Sequence, residues 1–353
     1  MFSSKGLIHL VGIVPIDNSE EIFKICGDYV GKYLISIPEG EIKYDENFSL
    51  SQKRNLLISH PDLESSTISD PSFINNFCCH SLFSSKSFST FKFKAGVKFI
   101  RLDNLSYFDD IIKSYRTFHK LRDIGVIPPD LRFQISLPTP LTAMGFLFRD
   151  ADDFERMAAS FIYSTANEIE KIFRYIPSRD LAIQWNIYFE TLDINGLIKW
   201  SPNGNPWVRF SEQILPISMK IPNDALLGFH FCYGELNNLV ESIPSFLSNI
   251  VSMANVVSLG SGRSVDWIHL PISLGKINDD YFNPLKELDK SIKRINLGLI
   301  NVSEGIDSIM EKIELVKKVK IDFGVSTPCC ISIKNSNDLI TQLEMHKIIA
   351  SYF

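Results

Sequence analysis

One histidine and two cysteines in this chain have a spacing that suits a bound metal ion. His230 and Cys232 lie two residues apart in an apolar run at 227–232, and Cys329 follows about a hundred residues later. Alternate residues of a strand point to the same face, so His230 and Cys232 would project together. An imidazole and two thiolates form a ligand set that Zn²⁺ prefers, and three protein ligands leave the open position of a catalytic site. From these residues alone, a core histidine with buried, inert thiols is the alternative.

Three carboxylates fall near the predicted ends of strands. Glu39 and Glu41 follow a proline, and they share one side of the chain if the segment is extended. Such a pair could bind a substrate ammonium group or act as acid and base, or it could be a solvated pair in a loop. Glu190 lies just beyond the strand predicted at 181–188, as a candidate catalytic group or a surface charge.

The elements that must position these residues alternate between strand and helix. Strands are predicted at 8–15, 132–137, 181–188, 227–232, 265–270, 295–302 and 320–325. Helices are predicted from an N-cap at Ser19, at 107–123 and 151–173, within 236–258, and at 284–292, 305–319 and 339–351. This alternation indicates βαβ units and a parallel sheet.

About eight such units favour a single (β/α)8 TIM barrel over residues 1–353. His230, Cys232 and Cys329 would then lie at the carboxyl end of the barrel, where active sites form. The segment 43–95 is rich in Ser, Asn and Phe without a clear period, and we expect an irregular insertion there.

The composition argues against several classes of protein. The 353 residues are 45% apolar and 22% charged, which is typical of a globular chain rather than a disordered or fibrous one. A net charge of −5 gives no general attraction to nucleic acid or anionic lipid, and no apolar run is long enough to span a membrane. The first ten residues lack the basic region of a secretory leader. Six sparse cysteines, four of them in adjacent pairs, indicate reduced thiols and a cytoplasmic location.

The residues around His230 and Cys329 resemble a known enzyme family. Residues 229–237, Phe-His-Phe-Cys-Tyr-Gly-Glu-Leu-Asn, resemble the His-x-Cys-Tyr-x-Glu-x-Asn stretch of cobalamin-independent methionine synthase. Residues 325–329, Val-Ser-Thr-Pro-Cys, stand where that family has its Asn-Pro-Asp-Cys segment. Ile-Gln-Trp-Asn at 183–186 and Leu-Gly-Leu-Ile-Asn-Val at 297–302 resemble two further strands of that family.

Three other motifs resemble an uncharacterised branch of the superfamily that unites this enzyme with uroporphyrinogen decarboxylase. That branch carries His-Leu-Val-Gly, Ile-Pro-Asp-Gly-Glu and Trp-Ile-His-Met-Pro. The corresponding residues here are His-Leu-Val-Gly at 9–12, Ile-Pro-Glu-Gly-Glu at 37–41 and Trp-Ile-His-Leu-Pro at 267–271. The resemblance therefore runs through the whole predicted barrel in order.

The resemblance implies Zn²⁺ bound by His230, Cys232 and Cys329, with a small thiol or amino-acid-like molecule as substrate. The roles that it suggests for other residues are catalysis for Asn186 and Glu190, and substrate binding for Glu39, Glu41, Gln184 and His269.

Three positions depart from the family pattern. Pro271 stands where the zinc-ligating Glu is expected, Asn186 replaces the Asp that binds the substrate ammonium, and Ile13 replaces a Ser. His269, two residues before Pro271 on the same face, is a candidate replacement ligand.

The leading expectation is a zinc-dependent methyl- or alkyltransferase acting on a small thiol, with a substrate other than that of methionine synthase. One alternative is a metal-free decarboxylase or lyase of the uroporphyrinogen decarboxylase type. Another is a catalytically inactive barrel that binds a small molecule, since the three departures remove groups that the family uses.

Overall fold

A computed structural model describes residues 5–12, 18–39, 56–68, 88–102, 105, 107–145, 147–197, 204–233, 246–275, 277–329 and 336–353. The strands are β1 (Ser36–Pro38), β2 (Leu63–Ile68), β3 (Phe88–Phe93), β4 (Arg132–Pro138), β5 (Leu181–Ile187), β6 (Leu226–Phe231), β7 (Trp267–Pro271), β8 (Ile295–Gly298) and β9 (Gly324–Ser326). The α-helices are α1 (Ser19–Val30), α2 (Tyr107–Asp123), α3 (Pro140–Met144), α4 (Ala151–Tyr175), α5 (Phe189–Ile194), α6 (Pro206–Ser218), α7 (Phe246–Gly260), α8 (Gly305–Val319) and α9 (Ser336–Ala350).

The larger sheet is parallel and has seven strands in the order β1-β4-β5-β6-β7-β8-β9. It curls into a half-barrel. Between its two outer strands, Ile8 forms a parallel bridge with Val325 of β9, and the backbone N–H groups of Gly6 and Ile8 donate to the carbonyl of Tyr33, just before β1. Within the described residues, the first strand expected from the sequence is a bridge at Ile8, and the three-residue strand β1, which the sequence did not predict, pairs with β4.

Side chains alternate between two environments along each strand of this sheet. One set is apolar and packs in the main hydrophobic cluster beneath the helices, as do Ile183, Trp185 and Ile187 of β5. The other set is polar or small and faces the concave side, where hydrogen bonds cross from strand to strand. Its members include Ser36, Gln134, Ser136, Gln184, Asn186, Gly228, His230, Trp267, His269 and Asn296. The concave side is therefore the place where polar chemistry collects.

A second, two-stranded antiparallel sheet lies within the segment expected to be irregular. Strands β2 and β3 pair from Leu63 opposite Phe93 to Ile68 opposite Phe88. Phe91 and Phe93 pack against Phe148 in a separate apolar cluster with α3 and α4. The described part of 43–95 therefore contains a regular antiparallel strand pair with a small apolar core.

Helices α1, α2, α4, α7, α8 and α9 lie where the sequence pattern predicts helices, apart from a few ends, whereas α3, α5 and α6 were not predicted. Helix α1 is capped by Asn18, whose side-chain oxygen accepts from the N–H groups of Glu20 and Glu21. The prediction of Ser19 as the cap is wrong by one residue. A short 3₁₀ turn, Asn283–Glu287, occupies the place of the helix predicted at 284–292. Within the described residues, no helix combines the length and apolar character needed to cross a membrane.

Candidate metal centre

The strand β6 brings two of the three candidate ligands to one face. His230 lies near the end of β6 and is 2% exposed, and Cys232 follows the strand and is 7% exposed. The N–H of Cys232 donates to the carbonyl of Ile187, at 2.9 Å, which continues the strand pairing one step further. The two-residue period of the strand thus places both side chains on the concave side.

Cys329 reaches the same place because the chain folds back after β9. A Cβ atom on Gly298 of β8 would lie only 2.5 Å from the Cα of Pro328, so glycine allows residues 327–328 to cross β8 closely. The hydroxyl of Thr327 donates to the carbonyl of Cys329 at 2.6 Å and closes this turn. The Sγ atoms of Cys232 and Cys329 are then 2.8 Å apart.

The three candidate ligands form one compact group. The ligand atoms of His230, Cys232 and Cys329 all lie within 4.8 Å of one another. One Zn²⁺ ion, with bonds of about 2.0 Å to nitrogen and about 2.3 Å to sulfur, spans nearly this distance. One nitrogen and two sulfur donors, largely buried, therefore fit Zn²⁺ in chemistry, and the two Sγ atoms would move apart from 2.8 Å to bind one tetrahedral ion.

His269 lies beside this group and contacts His230. The two residues are opposite each other in the pairing of β6 with β7, and their Nδ1 atoms are 2.7 Å apart. The Nε2 atom of His269 is 3.0 Å from the carbonyl oxygen of Thr327. Burial, together with the neighbouring His230, holds the pKa of His269 well below its usual range, so His269 is neutral.

Below the group, the concave side is filled by a hydrogen-bonded network around Gln184. The Gln184 side-chain oxygen accepts from Nε2 of His9 at 2.9 Å and from Nε1 of Trp267 at 3.3 Å. Its amide nitrogen donates to the carbonyl of Val11 and to the side-chain oxygen of Asn186. Burial lowers the pKa of His9 to about 3, so this ring is neutral as well. Gln184 is therefore a core hydrogen-bonding residue that links the network to Asn186.

Asn186 connects this network to the candidate ligands. It is half-buried and lies opposite His230 in the pairing of β5 with β6. Pro271, the last residue of β7, belongs to the same concave series as Trp267 and His269. The structure thus brings Asn186, His230 and His269 together, with proline at the position where the resemblance expects a fourth ligand.

The candidate carboxylates lie elsewhere or outside the described residues. Glu39 follows Pro38, the last residue of β1. Burial and the carboxylate of Asp110 raise the pKa of Glu39 to about 8. Glu190 is buried in α5, where the hydroxyl of Thr142 donates to its Oε2 at 2.7 Å. Burial raises the pKa of Glu190. Glu41 lies outside the described residues, as do Ile13 and residues 234–237.

Sequence reasoning did not anticipate the parts played by His9, Thr327 and Gly298. His9 was visible only as the first residue of the His-Leu-Val-Gly motif, and its contact with Gln184 joins residues 175 positions apart. The clearance that Gly298 gives to residues 327–328 has no local sequence signal, since it depends on how β8 and β9 lie side by side.

Known proteins resemble this chain in fold but not in sequence. No protein-family model matches the sequence, and no curated protein does. The curled parallel α/β sheet is similar to that of one solved methionine synthase.

Among solved structures, the chain is similar to a B12-independent methionine synthase from Shewanella sp. W3-18-1, solved in complex with selenomethionine. The TM-score is 0.56 with 11% sequence identity, over 95% of this chain and 85% of that chain. This likeness shows a shared fold.

Proposed function

We propose that the chain is a zinc-dependent transferase that moves a methyl or alkyl group from an electrophilic donor to a small thiol. The observation that carries the proposal is the convergence of His230, Cys232 and Cys329 within 4.8 Å on the concave side of the sheet. Two of these ligands come from the end of β6 and the third from the turn after β9. Residues far apart in sequence thus meet at the carboxyl end of parallel strands, the usual place of catalytic groups in such folds.

The chemistry follows from the donor set. When bound by these residues, Zn²⁺ lowers the pKa of a thiol ligand and so supplies a nucleophilic thiolate near neutral pH. Burial of the site excludes water from the reacting sulfur. We assign Asn186, beside His230, to orient the substrate, with Gln184 supporting it from below, and we propose Glu190 as a further catalytic group and Glu39 and Glu41 as substrate-binding groups.

The substrate class is a small, amino-acid-like thiol. The methionine synthase with a similar fold was solved with selenomethionine, an amino acid with a thioether-like selenium. Asn186 is neutral, where the related family has a carboxylate for the substrate ammonium group. We therefore infer a substrate other than homocysteine, one whose binding does not depend on a carboxylate at position 186.

The proposal includes the architecture expected from the sequence. Residues 7–10, which bridge β9 and the turn before β1, supply the eighth parallel segment of a closed (β/α)8 barrel. Residues 1–353 form one domain around it. A reducing, cytoplasmic environment belongs to the same proposal because thiolate ligands are lost by oxidation.

Metal analysis tests the proposal directly. Protein purified without added zinc should contain about one Zn²⁺ per chain, and Cys232→Ser should lose most of it because serine is a poor zinc ligand. Cys26→Ser is the matched control, since Cys26 lies on the buried face of α1 and is not one of the candidate ligands. Sub-stoichiometric zinc that is the same in wild type and Cys232→Ser would reject the proposal.

Activity gives the second arm of this test. We expect zinc-loaded protein to alkylate small thiols when an alkyl donor is supplied: the thiol loses its proton to solvent, its sulfur bonds to the donor carbon, and the donor's leaving group departs with the bonding electrons. Removal of zinc by a chelator should abolish the reaction until zinc is restored. A reaction that persists unchanged in metal-free protein would instead favour the metal-free lyase or decarboxylase class.

A second candidate function is a small-molecule-binding barrel without catalysis. The observation in its favour is Pro271 in the concave series of β7, at the position where the resemblance expects a zinc-ligating carboxylate. Thermal-shift screening against thiols, with and without zinc, separates the two. Binding of thiols with no turnover in the zinc-loaded protein would establish the second candidate.

A further inference from the structure

The environment of His269 differs from that of a metal ligand. Both of its ring nitrogens already have partners, since Nδ1 lies 2.7 Å from Nδ1 of His230 and Nε2 lies 3.0 Å from the carbonyl oxygen of Thr327. The side chain is fully buried between β6 and the turn that carries Cys329. His269 would have to abandon at least one of these contacts to bind an ion.

These two contacts determine where the protons lie. A backbone carbonyl only accepts hydrogen bonds, so Nε2 of His269 carries a hydrogen and donates it to Thr327. An imidazolium buried without a carboxylate partner is strongly disfavoured, so the ring is neutral and its Nδ1 has a lone pair. The hydrogen bond between the two rings then requires a hydrogen on Nδ1 of His230, and because a histidine binds a metal ion in its neutral form, its lone pair is then on Nε2.

We propose that His269 is a positioning residue that fixes His230 in the Nδ1–H tautomer and thereby presents its Nε2 lone pair to the ion held with Cys232 and Cys329. This inference rests on the proposed function and assigns His269 a role other than ligation or substrate binding. Metal-bound histidines commonly donate their second ring N–H to an acceptor in this way, which fixes the ring and raises its basicity as a ligand.

The same side chain also connects the two halves of the ligand set. Through Thr327 it contacts the turn that ends at Cys329, and the hydroxyl of Ser326 donates to the same carbonyl at 3.0 Å. One imidazole thus fixes the orientation of His230 on β6 relative to the segment that supplies the third ligand. Its removal should loosen the site without removing any ligand.

Nitrogen NMR of the metal-free protein tests the tautomer without relying on activity or zinc. Long-range ¹H–¹⁵N spectra distinguish a protonated ring nitrogen from one with a lone pair, and the His230 signals are assigned by their loss in His230→Gln. We expect Nδ1 of His230 to be protonated and Nε2 to be unprotonated in wild type. A His230 ring with its hydrogen on Nε2 would overturn the inference.

Two variants separate hydrogen bonding from the filling of space. In His269→Asn, the side-chain oxygen can take about the place of Nδ1 and still accept from His230. In His269→Leu, no acceptor remains. We expect Asn to preserve the Nδ1–H tautomer and Leu to lose it, and equal spectra in the two variants would contradict a positioning role.

Zinc affinity, measured by competition with a chromogenic chelator, completes the test. Loss of such a supporting hydrogen bond weakens metal binding by roughly 10- to 100-fold, and we expect this for His269→Leu but a smaller loss for His269→Asn. Unchanged affinity in His269→Leu would overturn the inference. If wild type binds no zinc, the proposed function fails, and the spectra of metal-free protein alone decide whether His269 sets the tautomer.

Discussion

The packing of Trp267 across Gly228 gives a sharp prediction about the interior below the candidate metal centre. A Cβ atom added at Gly228 would lie 1.9 Å from Cε2 of Trp267 and 2.3 Å from its Nε1. Ordinary contacts between two carbon atoms are about 3.5 Å or longer. Gly228→Ala therefore requires the indole or the strand to move by roughly 1 Å or more. Trp267 is fully buried, so it has no free space into which to move.

Two interactions hold the indole in place. Its Nε1 donates to Gln184 at 3.3 Å, and its ring lies 5.5 Å from the ring of His9, centroid to centroid. Overpacking of a dense interior costs about 1–3 kcal/mol, and loss of the hydrogen bond adds about 1 kcal/mol. We therefore expect Gly228→Ala to lower the free energy of unfolding by roughly 2–4 kcal/mol.

Urea denaturation followed by tryptophan fluorescence measures this loss. The matched control is Gly260→Ala at the end of α7, where the added Cβ would meet Ile214 at an ordinary 3.5 Å. Alanine is favoured over glycine in a helix by about 1 kcal/mol, so this control should be neutral or slightly stabilising. Gly228→Ala with stability within about 0.5 kcal/mol of wild type would refute the packing argument.

Three further predictions concern other parts of the molecule. Gly298→Ala should push residues 327–328 off β8 and weaken zinc binding on the order of tenfold, measured by chelator competition; unchanged affinity would contradict this role of Gly298. His346 is fully buried with a pKa lowered to about 4, so the unfolded chain binds its proton first and stability falls as the pH drops from the usual value near 6.5 towards 4. Between pH 7 and pH 5 this loss amounts to about 2 kcal/mol, and His346→Leu should abolish it in urea titrations at the two pH values; an identical pH dependence in the variant would be evidence against it. Asn186→Asp should increase the preference for thiols that carry an ammonium group by on the order of tenfold, measured as binding relative to 2-mercaptoethanol; an unchanged ratio would remove Asn186 from the substrate site.

Much of the fold can be read from periodicity. Helices at 107–123 and 305–319 were predicted with the bounds that α2 and α8 have, because each carries an amphipathic stripe and a clear end signal. Strand β1 was missed because three residues, Ser-Ile-Pro, are too short to show a period. The pairing of β2 with β3 was missed because it depends on contacts with α3 and α4 rather than on the local sequence pattern.

The candidate site, like the fold, was predictable from the sequence only in part. The shared direction of His230 and Cys232 follows from the two-residue period of a strand, and the placement of Cys329 follows from the meeting of strand ends at one edge. The contact of His269 with both His230 and Thr327 could not be predicted. It depends on the register of β6 with β7 and on the close crossing of β8 by residues 327–328.

X-ray absorption at the zinc edge tests the central claim most directly. In zinc-loaded protein, we expect two sulfur neighbours at about 2.3 Å and at least one nitrogen neighbour at about 2.0 Å, from Cys232, Cys329 and His230. Addition of a small thiol substrate should raise the sulfur count to three, as the thiol enters the remaining position. A sulfur count of two that does not change with thiol, or a zinc ion bound only by nitrogen and oxygen, would contradict the proposed thiol transferase.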